Sequence, residues 1–287
     1  MLAVVGSTFG TVNLPAQAIP IEKITEMLQS VTFFMLGSEG KGPLLAPAES
    51  ASGVGTAGFF VNVKDAEAFL QKLTAENAAL AKTVTIRPIS LSTIYRLSQL
   101  SKRNSDAMKV SIIPSQTQVD SAVSLMLLHG QRVRKFSGTP VFLARLVPEN
   151  SYLTVERDKK LVIPAFFTKE ELFEMIKKYR KDRPEQANSV DVQVFSLEDM
   201  LVGLPLTTNQ IYESIVLVTP KESIEYLKRV AESLPPDPSV PQTPAATPQS
   251  PAVTSAPPAA ASKPVVKPVP APAPKPDDDE NPLPPGA

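Results

Sequence analysis

Apolar and polar residues along the chain follow two periods, one typical of helices and one typical of strands. Ile21, Ile24, Leu28 and Val31 have helical spacing, because residues three and four positions apart share one face of a helix. Runs rich in β-branched and aromatic residues predict strands. We place strands at 32–37, 43–47, 57–62, 84–89 and 108–114, and again at 139–145, 151–156, 161–167, 190–195 and 214–219.

Helices are predicted between many of these strands. Apolar residues at helical spacing follow Lys64-Asp65 and Thr168, and the polar or acidic residues at each start favour a helix N-terminus. Short helices are expected after Ser90 and Ser196, and longer ones at 116–129 and 220–234. The order of elements is therefore almost the same in the two halves of the chain.

Four blocks of sequence repeat in the same order. The segment 84–91 aligns with 190–197 (190 − 84 = 106), and 112–113 aligns with 217–218 (217 − 112 = 105). The segments 59–60 and 32–36 align with 166–167 and 139–143, both at an offset of 107 (166 − 59 = 107). Nearly constant offsets indicate a tandem duplication.

These patterns predict an α+β fold with a tandem pseudo-two-fold repeat, in which each half is a mixed β-sheet with packed helices. The halves run over about 21–116 and 117–234. The helix at 116–129 would end the first half and also begin the second. We therefore expect one pseudo-symmetric body, 19–234, and not two separate domains.

The two ends of the chain have compositions unlike this body. Residues 1–21 carry no charge, and their apolar run ends in Pro15-Ala16-Gln17-Ala18, which has the A-x-A form of a signal-peptide cleavage site. We predict a signal peptide at 1–18; the alternative is a buried N-terminal segment. Residues 235–287 hold 18 of the 30 prolines and few large apolar groups, so we predict a disordered Pro/Ala-rich tail there.

Composition argues against several classes of function. Lys plus Arg and Asp plus Glu both number 29, aromatic residues make up 6% and there is no Trp, so a basic nucleic-acid-binding surface with stacking aromatics is not expected. With no Cys and a single histidine, His129, the chain has too few ligands for a zinc or transition-metal site. No catalytic motif is present, and we predict a protein that is not an enzyme and has no cofactor.

Two charged clusters each allow two interpretations. The basic run 177–183 is either a solvated helix end or a docking site for acidic lipid headgroups or a partner. The acidic run 277–280 is either a solubilising cluster or a weak calcium site.

Paired phenylalanines are the candidate binding residues. Neighbouring residues of a strand point to opposite faces of the sheet, so Phe59 and Phe60 need two different covers, as do Phe166 and Phe167. One cover is a packed helix, and the other is either the second half of the molecule or a bound client. The client alternative predicts an apolar groove on two sides of the body, lined by Phe34, Phe60, Phe142 and Phe167.

The same residues resemble a known family. A segment 138–142 (Gly-Thr-Pro-Val-Phe) is followed by Val162-Ile-Pro-Ala-Phe-Phe167, an acidic helix start at 169–171 and 194–197 (Val-Phe-Ser-Leu), with a weaker version upstream. This order resembles the Tic22 family of soluble subunits of the chloroplast protein-import translocon, and the resemblance covers about 21–230.

The resemblance implies a chaperone-like protein-transport factor that transiently binds unfolded precursor proteins, such as outer-membrane proteins, through apolar grooves. The export signal points to the cyanobacterial branch, hence to the periplasm, with the thylakoid lumen or plastid intermembrane space as alternatives. It implies outer-membrane assembly or translocon components as partners, at most peripheral membrane contact and no nucleic acid. The alternative function is a structural subunit docked to an envelope translocon or outer-membrane assembly complex.

Overall fold

A computed structural model describes residues 18–38, 40–48, 53–147, 150–186 and 188–233. Its first half contains four helices and five strands: α1 (Ile21–Leu28), β1 (Thr32–Gly37), β2 (Leu45–Ala46), β3 (Thr56–Phe60), α2 (Val63–Glu76), α3 (Ala78–Ala81), β4 (Thr85–Ser90), α4 (Leu91–Arg103) and β5 (Lys109–Ile113).

The second half contains four helices, six strands and two 3₁₀ turns. They are α5 (Gln116–Leu128), β6 (Pro140–Leu146), β7 (Ser151–Tyr152), β8 (Val155–Arg157), β9 (Lys160–Phe166), α6 (Lys169–Asp182), a turn at Pro184–Gln186, β10 (Val190–Ser196), α7 (Leu197–Gly203), a turn at Gln210–Ser214, β11 (Ile215–Val218) and α8 (Lys221–Ser233). The predicted α+β class is confirmed, and every predicted strand lies within a few residues of an observed one.

Two mixed sheets share one strand order. In the first sheet, β1 pairs antiparallel with β4 and β3, and β3 pairs parallel with β5. In the second sheet, β6 pairs antiparallel with β10 and β9, and β9 pairs parallel with β11. The short strands β2, β7 and β8 extend these ladders. The connectivity of the two sheets is the same, although their origin by tandem duplication remains a prediction.

The inner faces of both sheets contribute to one central core. Phe33 of the first sheet and Phe167, just after β9, meet edge-to-face with ring centroids 5.5 Å apart. Apolar residues of α1, α4 and α7 complete this core. Because each half buries its inner face together with the other, the two halves form a single packed body.

The outer face of each sheet is covered by two helices, one of which directly follows the last strand of the other sheet. Phe34 and Phe60 of the first sheet pack with α2 and with Tyr226 and Leu227 of α8. On the second sheet, α5 and α6 cover Phe142 and its neighbours. The helix that follows the last strand of each half thus crosses to the sheet of the other half.

This crossing corrects part of the predicted repeat. The sequence suggested that α1 and α5 are equivalent, since each precedes a strand. However, Ile24 and Leu28 of α1 lie in the central core, whereas Ala122 and Leu125 of α5 lie on the outer face of the second sheet. The helix in the place equivalent to α5 is α8.

The N-termini of α2, α5, α6 and α8 meet at one junction. The side chain of Gln118 on α5 accepts the Lys169 amide hydrogen (2.9 Å) and donates to Glu170 on α6 (2.8 Å). Glu222 on α8 binds the ammonium group of Lys64 on α2 at 2.5 Å. These contacts hold together the two outer helices of each sheet, and the Lys221 N–H at the start of α8, which donates to Glu171 of α6 (2.9 Å), connects one pair with the other.

The predicted signal peptide and tail lie outside the described residues, apart from Ala18. Within the described ranges, no helix combines the length and the apolar composition needed to cross a bilayer.

Candidate functional site

The described part of the chain offers no evident site for a metal ion or a small molecule. Its His, Asp and Glu side chains nowhere gather in the groups of three that could hold a metal. One recess lies at the four-helix junction beside Gln118, and another lies between α1 and α7; each has room for about one water molecule. Small-molecule sites usually need roughly 300 Å³ or more, so a functional site on this body must be a surface.

The contacts of His129 give it a structural role. It follows the last residue of α5, where its backbone N–H donates to the Leu125 carbonyl (3.1 Å). Its Nε2 lies 2.7 Å from Asp191 at the start of β10, and the Arg145 guanidinium holds the other oxygen of that carboxylate at 2.7 Å. The contact fastens the end of α5 to the second sheet.

The four phenylalanines predicted to line a groove are buried. Phe34 and Phe142 have no exposed surface, Phe60 is 4% exposed and Phe167 is 3% exposed. The first three pack under the outer helices, whereas Phe167 belongs to the central core. A surface groove lined by these four side chains is therefore wrong for this structure, and the ordinary core interpretation replaces it.

The misplacement of Phe167 follows from the one-residue error in the sequence alignment. The ladder pairs Phe34 with Phe60 in the first sheet and Phe142 with Phe166 in the second. The structural equivalent of Phe60 is therefore Phe166 (166 − 60 = 106), and a shift of one residue moves a side chain to the opposite face.

An incompletely covered apolar surface remains at the same edge of each sheet. In the first sheet, α2 covers β3 but leaves the edge strand β5 half-exposed. We call the residues there strip 1: Gly58, Phe69 and Ile113, with the buried ring of Phe60 beneath them. The ring of Phe69 on α2 lies 5.5 Å from that of Phe60 and is 42% exposed, and Ile113 pairs with Phe60 in the ladder and is half-buried.

The second sheet has an equivalent surface beside β11. Strip 2 consists of Phe166, Met175, Val216 and Val218, all half-buried. Val218 pairs with Phe166 across the parallel ladder, and Leu217 between the two valines points into the central core. Both valines therefore face the outer side, where α6 presents Met175.

The edge strands beside the strips also have free backbone groups. Within the described ranges, β5 pairs only with β3 and β11 pairs only with β9. A strand that is paired on one side can bind an extended peptide through its remaining N–H and C=O groups. Each strip therefore combines an apolar surface with an edge that can hydrogen-bond to a polypeptide backbone.

Part of strip 2 could have been predicted from the sequence. The alternation in 215–218 places Val216 and Val218 on one face, so both could have been assigned to a common surface. The incomplete cover could not be predicted, because the outer helices come from both halves and their positions depend on the tertiary packing.

Comparison with known proteins supports the family resemblance seen in the sequence. The model of the Tic22-like family matches residues 2–229. The chain is 25% identical over 195 residues to "Protein TIC 22, chloroplastic" of Pisum sativum, covering 67% of this chain and 71% of the pea protein. It is 26% identical over 162 residues to the Arabidopsis thaliana protein of the same name, covering 56% of this chain and about half, 54%, of that protein.

Two solved structures share the fold. Anabaena Tic22, described as a protein of protein transport, has a TM-score of 0.64 at 24% identity, covering 77% of this chain and 100% of that one. Tic22 from Plasmodium falciparum has a TM-score of 0.58 at 20% identity, covering 74% and 99%. With the family model matching most of its length, the chain belongs to the Tic22-like family.

Proposed function

We propose that this chain is a protein-transport factor that transiently binds unfolded precursor proteins in an extracytoplasmic aqueous space. The observation that carries the proposal is the presence, in both halves, of a half-covered apolar strip beside a strand with a free edge. An unfolded polypeptide can add to such an edge through its backbone and place alternate apolar side chains on the strip.

The size of the strips favours weak and reversible binding. Each strip consists of only a few residues, most of them already partly covered, so a client buries little additional apolar surface. Association must first offset several kcal/mol of lost translational and rotational freedom. Clients would therefore bind and leave without nucleotide hydrolysis, and two strips on one body would allow a long client to bind at both.

Family membership supports the transport part of the proposal. The plant relatives are named as chloroplastic proteins, and the Anabaena relative is described as a protein of protein transport. The periplasm as the compartment, and outer-membrane precursors as the clients, rest on the signal peptide predicted at 1–18 and on the family resemblance.

The test is suppression of aggregation of an unfolded outer-membrane barrel protein, measured by light scattering with the full chain. One variant, Phe69→Lys with Val216→Lys, places a charge on each strip. The control, Leu100→Lys with Leu206→Lys, changes two leucines that are 57% and 76% exposed and lie outside both strips. We expect the strip variant to lose most of the suppression, because burying an unpaired ammonium group is costly, and the control to keep it.

Circular dichroism and urea midpoints first establish that both variants are folded. Equal loss of suppression in both variants would contradict the assignment of the strips. No suppression by the wild-type chain would contradict transient client binding; a stable stoichiometric envelope complex recovered by pull-down would then favour the structural-subunit alternative.

A further inference from the structure

One end of the second sheet carries a dense group of exposed cationic side chains. The helices α5 and α6 start side by side, at the contact between Gln118 and Lys169, and both cover the same face. After 13 and 14 residues, respectively, they end at the far side of that sheet. We call this surface the cationic end and define it by seven exposed residues: Arg132, Arg134, Lys135, Lys177, Lys178, Arg180 and Lys181.

Contacts near the start of β10 place the ends of α5 and α6, and with them the two groups of cations, at the same end of the second sheet. His129 at the end of α5 binds Asp191, the second residue of β10. The end of α6 reaches the same place through the turn at Pro184–Gln186, whose Gln186 accepts a hydrogen bond from the Tyr179 hydroxyl. Phe136, which follows the first group, is buried in the same apolar cluster as Tyr179.

The cationic end has little internal compensation. Within the described ranges, none of its seven side chains forms an ion pair with another described residue. The acidic residues nearest in sequence are Glu174, Asp182 and Glu185. Of the carboxylates near this end, Glu174 is bound by Lys221 and Asp191 by His129 and Arg145. Such a surface attracts an anionic partner.

The chain itself contains a matching partner outside the described residues. Four consecutive acidic residues, Asp277-Asp278-Asp279-Glu280, stand near the end of the printed sequence. Forty-three residues separate Ser233, the last residue of α8, from Asp277 (276 − 233 = 43). A Pro-rich segment extends up to about 3.1 Å per residue, so 43 residues are long enough to reach any part of a body whose radius of gyration is about 17 Å.

We propose that the acidic segment 277–280 docks on the cationic end of its own chain. Covalent attachment keeps the segment at a high effective concentration near this surface, so modest electrostatic attraction is sufficient. The docked segment covers a surface next to Leu127 and Leu128, which are 52% and 80% exposed at the end of α5. An anionic partner must then displace the tail to reach the cationic end.

The experiment uses the absence of cysteine in the chain. Asn281→Cys in the full chain carries a spin label directly after the acidic segment, and paramagnetic broadening of amide NMR signals shows which part of the body the segment visits. We expect broadening at 131–135 and 177–182 to exceed that at the outer ends of α2 and α8 by about twofold or more. The excess should disappear at an ionic strength of about 0.5 M, where charges are screened beyond about 4 Å.

Matched variants show whether charge directs the contact. Asp277→Asn, Asp278→Asn, Asp279→Asn and Glu280→Gln together should abolish the excess broadening, as should Lys177→Gln, Lys178→Gln, Arg180→Gln and Lys181→Gln. The control neutralises four exposed cations elsewhere, Lys72, Lys82, Lys228 and Arg229, by the same change to Gln, and should retain the excess. All changes are at exposed or tail positions, and unchanged amide positions elsewhere show that the fold is intact.

Uniform broadening over the body would overturn the proposal, and so would excess broadening that persists after neutralisation of either segment. A third result would also overturn it: no excess broadening, together with changes at 131–135 and 177–182 when vesicles containing phosphatidylglycerol are added. The cationic end would then bind an anionic membrane surface instead of the tail.

Discussion

The N-termini of α5 and α8 have equivalent places at the four-helix junction, but they bind their neighbours differently. Gln118 of α5 reaches α6 with both ends of its amide group, at 2.9 and 2.8 Å, and is buried. The residue of α8 in the same place is Ser223 (223 − 118 = 105), whose hydroxyl is fully buried and has no hydrogen-bond partner among the described residues. Glu222, its neighbour, instead joins α8 to α2 through exposed Lys64.

The difference shows that equivalent backbone arrangements can be stabilised by unlike side chains. A buried amide that satisfies two partners is protected from solvent and salt. The ion pair between Lys64 and Glu222 has partners that are 65% and 46% exposed, so it is screened and contributes little. We therefore expect the α5 side of the junction to be more important for stability than the α8 side.

The largest expected effect concerns the core that both halves share. Phe167→Ala removes a buried ring that packs against Phe33, and such a truncation costs about 3–5 kcal/mol of unfolding free energy. Phe166→Ala, one residue away on the half-covered outer face, should cost about half as much or less, since less apolar surface is lost from the interior. Urea unfolding followed by circular dichroism measures both.

The same experiment tests whether the two halves fold as one unit. A central core shared by both sheets predicts a single transition for Phe167→Ala. Two separated transitions, with one half unfolding first, would contradict the shared core and support two independent units.

These neighbouring phenylalanines also show how far the sequence could be interpreted. Periodicity located nearly every element, because strands such as β1 and β10 have compact runs of β-branched and aromatic residues. It also suggested, correctly, the second half of the molecule as a possible cover for one residue of each pair. All four predicted groove residues are buried, and one of them was also placed on the wrong face, because the offset of 107 put Phe167 where the ladder has Phe166.

The sequence pattern could not predict that a helix of one half buries residues of the other half. Phe34 packs against Tyr226, which lies 192 residues further along the chain (226 − 34 = 192), and no local period indicates such a contact. Similarly, α1 and α5 look alike in sequence but differ in location, because tertiary packing decides which sheet face an amphipathic helix covers. Phe69, in contrast, lies in the helix predicted after Lys64-Asp65, but its exposure depends on where α2 ends its cover of the first sheet.

The second effect in size compares Gln118 with Ser223 directly. Gln118→Ala deprives the Lys169 amide and Glu170 of their partner and should cost about 1–3 kcal/mol, since a partly buried donor is left unsatisfied. Ser223→Ala removes a buried hydroxyl without a partner and should be neutral or stabilising by up to about 1 kcal/mol. Urea midpoints of the two variants decide the comparison, and a larger loss for Ser223→Ala would reverse it.

The smallest effect is a pH dependence at Asp65, which lies in the first turn of α2 and faces the same junction. Burial raises the pKa of Asp65 above its ordinary value of 3.8, the Glu222 carboxylate raises it further, and a hydrogen bond from Ser115 opposes the shift. A raised pKa means that folding favours the protonated acid. This stabilisation is fully present below the pKa of the unfolded chain and is lost as pH rises through the pKa of the folded state.

Asp65→Asn should therefore be more stable than the wild type at neutral pH, and this advantage should disappear as the pH falls below about 4. The dipole of α2 favours the carboxylate and keeps the difference small. Urea midpoints of the two proteins at several values between about pH 3 and pH 7 measure it, with Asp106→Asn on an exposed turn as the control. A difference that does not change with pH would show that the Asn side chain acts through packing or hydrogen bonding, and that the ionisation of Asp65 does not influence the junction.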